Sequence, residues 1–196
     1  LPLLEFSAPR SLFLQTHTMN ERLVHSFRTQ EFPALSRVPA GALEAPDFRV
    51  ALGRLFLAKD QADEALRQFE AALRSDPRSV PALMGRAEVL ARHGQVLQAQ
   101  ADMEAAVRVD PGNGAARLAL ARLYRGQGLQ DRASEQLRAA VGTDGPLASE
   151  ALTLLGELFL RDGRAAEARN YFQRAVALRP ENAGSWSLLG LALERE

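Results

Sequence analysis

An all-α solenoid of antiparallel helix pairs is what this 196-residue sequence predicts, on three observations. Prolines close matching runs at a near-constant interval. AALRSDP ends at Pro77, AAVRVDP at Pro111 and RAVALRP at Pro180, and Pro146 falls one residue late between the last two. Turn residues keep step with them, since Asp60, Gly94, Gly128 and Gly163 recur every 34 or 35 positions. Between these marks apolar residues follow helical spacing, as in Leu52, Leu55 and Phe56 and then Leu66, Phe69 and Leu73. No stretch alternates with the period of two that a strand requires. A helix pair of this length cannot bury its own apolar face, so neighbouring pairs must stack to make a core.

The elements follow in order. Residues 1–45 lie outside the repeats and form an N-terminal extension. Asn20 can cap one short helix at about 20–30, with Leu23, Val24 and Phe27 on its apolar side. Pro33, Pro39 and Pro46 punctuate the remainder. This helix, or Leu12-Phe13-Leu14, is a candidate to lie in the solenoid's own groove. Met19 reads as a candidate internal start, and the absence of an initial Met suits a processed or excised fragment.

The array spans 46–196. Its units are 46–79 with helices at 47–59 and 62–75, 80–113 with 81–92 and 96–109, 114–148 with 115–126 and 130–141, and 149–182 with 149–161 and 165–178. A partial fifth unit covers 183–196 and stops after one helix, as a segment of a longer protein would. Glycine at 94, 128 and 163 suits the left-handed conformation at a helix C-terminus, and Asp60 is a tolerated substitute. Asp63 and Glu64 stand in a first helical turn, where they favour the helix dipole.

Composition agrees with a folded helical domain. Hydrophobic residues make up 46% and charged residues 24%, and the abundant Ala, Leu and Arg are good helix formers. Basic and acidic residues number 24 each, so no positive surface is offered to nucleic acid, which is not expected as a partner. With no cysteine, disulfides, thiolate zinc sites and cysteine nucleophiles are excluded. No run of 18 apolar residues exists, so no membrane span is expected. Pro2, Glu5, Pro9 and Arg10 break any secretory signal core. Lys59 is the single lysine and isoleucine is absent, a coding bias that suggests a GC-rich bacterial source. A cytoplasmic location is favoured, with the periplasm as the alternative.

The repeat resembles the tetratricopeptide (TPR) family on named residues. The first unit supplies Leu52, Gly53, Phe56, Ala65, Phe69, Ala72 and Pro77, and the second Leu83, Ala87, Leu90, Ala99, Met103, Ala106 and Pro111. The third supplies Leu120, Ala121, Tyr124, Ala133, Leu137 and Ala140 with Pro146 displaced. The fourth supplies Leu152, Leu155, Gly156, Phe159, Ala168, Phe172, Ala175 and Pro180. The fifth begins with Trp186, Leu189, Gly190 and Leu193. Departures are Arg49 and Arg117, where a large apolar residue is usual, and Arg86 in place of Leu. Small residues at 53, 87, 121 and 156 let the first helix of a unit approach the second, and Ala65, Ala99, Ala133 and Ala168 do so from the other side.

The resemblance implies a right-handed superhelix whose concave groove, lined by the first helix of each unit, binds a protein or peptide. The implied groove residues are apolar at Val50, Leu57, Met84, Leu118, Leu154 and Leu160. They are charged at Arg54, Glu88, Arg92, Arg122, Arg125, Glu157 and Arg161. Arg54, Glu88, Arg122 and Glu157 alternate in sign at one position of successive units. That alternation reads either as a groove that senses charge along a peptide or as ion pairing between neighbouring repeats, and the second is the reading adopted. Some members of the family hold the C-terminal carboxylate of heat-shock chaperones in a Lys/Asn/Arg clamp. The equivalent positions here are Val50, Arg54, Gly85, Ala115 and Ala119, so this clamp is not expected.

The expected function is therefore a protein-interaction scaffold, with no enzymatic activity, cofactor or metal. A regulatory or substrate-recruiting segment of a larger multidomain enzyme is the alternative. RNA binding, by analogy with pentatricopeptide repeats, is disfavoured by the balanced charge. Self-association through the apolar helix around Trp186–Leu193 is a further candidate. His17, His25 and His93 lack a metal-like neighbour, and PGNG at 111–114 reads as a turn between units and not as a phosphate loop.

Overall fold

In the computed structural model, residues 44–142 and 145–196 are described; the helix expected at 20–30 and the Leu12-Phe13-Leu14 segment lie outside them. Among the described residues the chain folds into helices alone. They are α1 (Pro46–Ala58), α2 (Ala62–Ser75), α3 (Val80–Arg92), α4 (Val96–Val109), α5 (Gly114–Gly126), α6 (Gln130–Val141), α7 (Pro146–Arg161), α8 (Ala165–Leu178) and α9 (Ala183–Glu194). Each helix packs on the next, and α1 meets α3, α5 meets α7 and α7 meets α9, which makes an α-solenoid.

Four turns of one design join the first and second helix of each pair. Asp60, Gly94, Gly128 and Gly163 all take positive φ, at 60°, 75°, 76° and 76°. The following N–H reaches back to the carbonyl five residues earlier: Gln61 to Phe56 (2.9 Å), Gln95 to Leu90 (2.8 Å), Leu129 to Tyr124 (2.9 Å) and Arg164 to Phe159 (2.9 Å). The left-handed residue itself donates to Leu57, Ala91, Arg125 or Leu160, completing a Schellman cap each time. Among these four turns, Asp60 is the residue whose Cβ bears this conformation. Asp60→Gly is expected to stabilise the chain by about 0.5 kcal/mol, relief of strain outweighing the added freedom of the unfolded chain. A thermal melt that moves down would contradict this.

Between pairs, side chains organise the connection. The Asp76 carboxylate accepts the Arg78 N–H (3.0 Å), and Asp110 accepts that of Gly112 (3.1 Å). Asn113 and Asn182 then cap α5 and α9 by accepting the N–H of Ala116 (3.0 Å) and Ser185 (3.3 Å). The link before α7 differs from expectation. Pro146 opens the helix at its first turn instead of preceding it, so α7 begins three residues before position 149. Proline is favoured there because its missing N–H has no helical acceptor to lose.

The core is built from small residues facing large ones. Ala65, Ala99, Ala133 and Ala168 are fully buried, and the rings of Phe69 and Phe172 lie against the backbones of Gly53 and Gly156. The arginines that break the apolar pattern join helices within a unit. Arg49 Nη1 donates to Gln68 Oε1 (3.1 Å), and Arg117 Nη1 repeats this on Gln136 Oε1 (2.9 Å). In the second unit Arg86 grips Asp102 through Nε (2.7 Å) and Nη2 (2.6 Å). In the fourth unit Tyr171 holds the place of Gln68, Asp102 and Gln136, and its ring stacks on that of Phe159 with centroids 5.1 Å apart. Tyr124 donates its hydroxyl to Glu104 (2.8 Å); burial and that bond hold the phenol above its ordinary pKa. Glu104 is held below the usual carboxylate range by hydrogen bonds from Gln100 and then Tyr124.

Candidate functional site

A concavity among the first helices has a volume of about 710 Å³, in the range of pockets that take small ligands. Helix α1 contributes Arg54 and Leu57, α3 contributes Pro81, Met84, Glu88 and Arg92 among others, and α5 contributes Ala119, Arg122 and Leu123. Gly85 and Ala119, one unit apart, and Met103 of α4 line it as well. Six of the residues expected on the groove are thus brought together: Arg54, Leu57, Met84, Glu88, Arg92 and Arg122.

The other expected residues fall elsewhere. Val50, Leu118, Leu154 and Leu160 are buried within the array. Leu118, Leu154 and Leu160 belong to the hydrophobic core of the array and do not form open surface. Arg125 and Glu157 lie outside the cavity and pair with each other at 2.6 Å, and Arg161 is exposed at the end of α7. Pro81, Ala91, Met103 and Leu123 line the cavity without having been expected there. No local sequence signal marks them, because they are brought to the cavity by the stacking of α1, α3 and α5.

Charge in the groove is largely satisfied from within, though not between the residues that alternate in sign. Arg122 pairs with Glu150 across units. Glu88 pairs with Arg92 one turn on (2.7 Å), and Arg92 also stands 3.8 Å from Asp60 of the preceding turn. Arg54 makes no ion pair among the described residues. Among the described residues the rim therefore carries one unneutralised cation, Arg54, beside an apolar floor. Exposed pairs of this kind add about 0–1 kcal/mol each, so they shape the groove's charge more than its stability.

Among the described residues no group of three or more His, Cys, Asp or Glu is placed to hold a metal ion, and no helix is long and apolar enough to cross a membrane. His93 ends α3 with Nε2 3.9 Å from Asp63.

A stack of antiparallel helix pairs with a concave cavity along its first helices defines a helical-repeat solenoid. The chain belongs to the tetratricopeptide repeat family, whose profile matches residues 50–99, 90–144, 118–183 and 153–196. Solved structures of similar fold include MamA, with a TM-score of 0.68 at 20% identity over 78% of this chain and 82% of that one. PilF of Pseudomonas aeruginosa gives a TM-score of 0.72 at 22% identity over 79% and 70%. YrrB, described as a TPR protein with an unusual peptide-binding site, gives 0.64 at 20% identity over 93% and 87%. No curated protein sequence matches the chain.

Proposed function

We propose that this chain is a protein-interaction scaffold that holds a peptide or helix of a partner protein in the groove between α1, α3 and α5 and catalyses no reaction on it. The observation that carries the reading is the cavity itself: an apolar floor of Leu57, Met84, Met103 and Leu123, with Arg54 unpaired at its rim among the described residues. An apolar anchor of the partner fits between Leu57, Met84 and Leu123, where flexible methionine side chains adapt to its shape. A partner carboxylate beside that anchor meets Arg54. The peptide-binding site described for YrrB, a protein of similar fold, supports a peptide as occupant.

Selection from a displayed random-peptide library tests this. Peptides enriched on the wild-type chain are expected to carry an apolar anchor with a neighbouring acidic residue. Met84→Glu and Arg54→Glu should each weaken the selected peptides about tenfold, a change of roughly 1.4 kcal/mol. Arg161→Glu, outside the cavity, should leave them unchanged. Absence of enrichment, or binding indifferent to both groove variants with the helical spectrum intact, would remove the reading.

A further inference from the structure

The cavity between α1, α3 and α5 offers few hydrogen bonds to anything that enters it. Among the described residues its polar side chains are Arg54, Glu88, Arg92 and Arg122, and no Asn, Gln, Ser, Thr or Tyr lines it. Each lining residue lies within a helix, so its backbone N–H is given to a helical carbonyl, and Pro81 has no N–H to give. Glu88 is the one strong acceptor among those side chains, since methionine sulfur accepts only weakly. It already accepts from Arg92 at 2.7 Å. Arg122 is turned to Glu150, which leaves Arg54 without an ion pair among the described residues.

An extended peptide carries bare N–H and C=O groups along both of its edges. Laid on this floor, the N–H groups facing it would lose water and find no acceptor. A helix keeps those groups bonded within itself and presents side chains alone. The walls also stand apart. Helices α3 and α5 pack less closely on each other than α1 on α3 or α5 on α7. The cavity draws its lining from both, with Met84 and Ala91 on one side and Ala119 and Leu123 on the other.

We infer that the occupant is one amphipathic α-helix of a separate protein, lying across α1, α3 and α5. Its apolar side chains at i, i+3 or i+4, and i+7 rest on Leu57, Met84 and Leu123, with a Glu or Asp beside that stripe at Arg54. The inference rests on the reading of the cavity as the binding groove and narrows its occupant from any peptide to a helix. The acidic residue is specified by Arg54, the cation that the array leaves unneutralised among the described residues. A second copy of the chain is a poor source, because every described helix is already packed on its neighbours.

Two displayed libraries of peptides about 14 residues long test this. Both randomise the same apolar positions over an Ala/Glu/Lys background, and the second carries interior prolines that bar a helix. The full chain is expected to enrich the first library and not the second. In an enriched synthetic peptide, proline in place of an interior alanine should weaken binding at least about tenfold. A covalent link between side chains at i and i+4 on the solvent face should tighten it at least about threefold by preorganisation. Isotope-labelled carbonyls of the bound peptide should show helical chemical shifts, and Met84→Glu should abolish the change. Equal enrichment of both libraries, or bound carbonyls at extended values, would overturn the helix and leave the groove reading standing. No enrichment from either library, with the helical spectrum of the chain intact, would remove both. A concentration-dependent dimer of the chain alone that Met84→Glu disrupts, seen by sedimentation, would overturn the separate partner and give the groove to a second copy.

Discussion

Phe69→Ala is expected to lower the unfolding free energy by about 3–5 kcal/mol, the range for removing a fully buried aromatic ring. Phe69 is 0% exposed, and its ring touches two helices besides its own. A Cβ on Gly53 of α1 would meet it at 2.7 Å, and one on Gly85 of α3 at 2.4 Å. One side chain thus joins the first unit internally and also fastens it to the second. Stability in a repeat array is close to a sum of unit and interface contributions, so this loss should be local. Urea unfolding followed by helical signal is expected to broaden into two steps, with α1 and α2 unfolding before α7 to α9. Hydrogen exchange should show protection lost first in α1 to α3. Gly85→Val attacks the same joint from the other side by forcing atoms into the ring, at about 1–3 kcal/mol. A single sharp transition at the wild-type midpoint for both variants would show that the joint lies elsewhere.

Arg86→Leu restores the apolar residue usual for the family at that position, yet it is expected to cost about 2–4 kcal/mol. The reason is Asp102, whose side chain is 10% exposed and takes both of its hydrogen bonds from Arg86. Removing the guanidinium leaves a carboxylate nearly out of water with neither bond. Asp102 also holds the Arg86 pKa above its ordinary value, chiefly through that hydrogen bond. The double variant Arg86→Leu, Asp102→Leu should recover most or all of the loss, because two packed apolar side chains replace a pair whose desolvation cost offsets much of its attraction. Chemical denaturation of the two single variants and the double variant completes the cycle. A double variant as unstable as Arg86→Leu alone would mean that the pair is irreplaceable by packing.

Features that depend on the local chain were legible from residue order. The period of Asp60, Gly94, Gly128 and Gly163 located the turns, and each takes the positive φ that such a turn requires. Gly53 and Gly156 were readable as points of close approach, and the structure adds which rings approach them. Arg49, Arg86 and Arg117 looked like departures from the repeat, because their partners Gln68, Asp102 and Gln136 lie on another helix.

The groove was legible only in outline. The outward positions implied by the resemblance to the family placed Val50, Leu118 and Leu154 beside Leu57 and Met84. Whether such a side chain meets water depends on how closely the next first helix approaches, which no single unit encodes. Val50, Leu118 and Leu154 are buried, whereas Leu57 and Met84 remain at the cavity. The alternating charges show the same division. Their signs are in the sequence, but Arg122 pairs with Glu150 and Arg125 with Glu157, because long side chains take partners by spatial offset between stacked helices and not by matching position in the repeat. The repeat thus determines its helices and turns locally, while burial and pairing are settled where one unit meets the next.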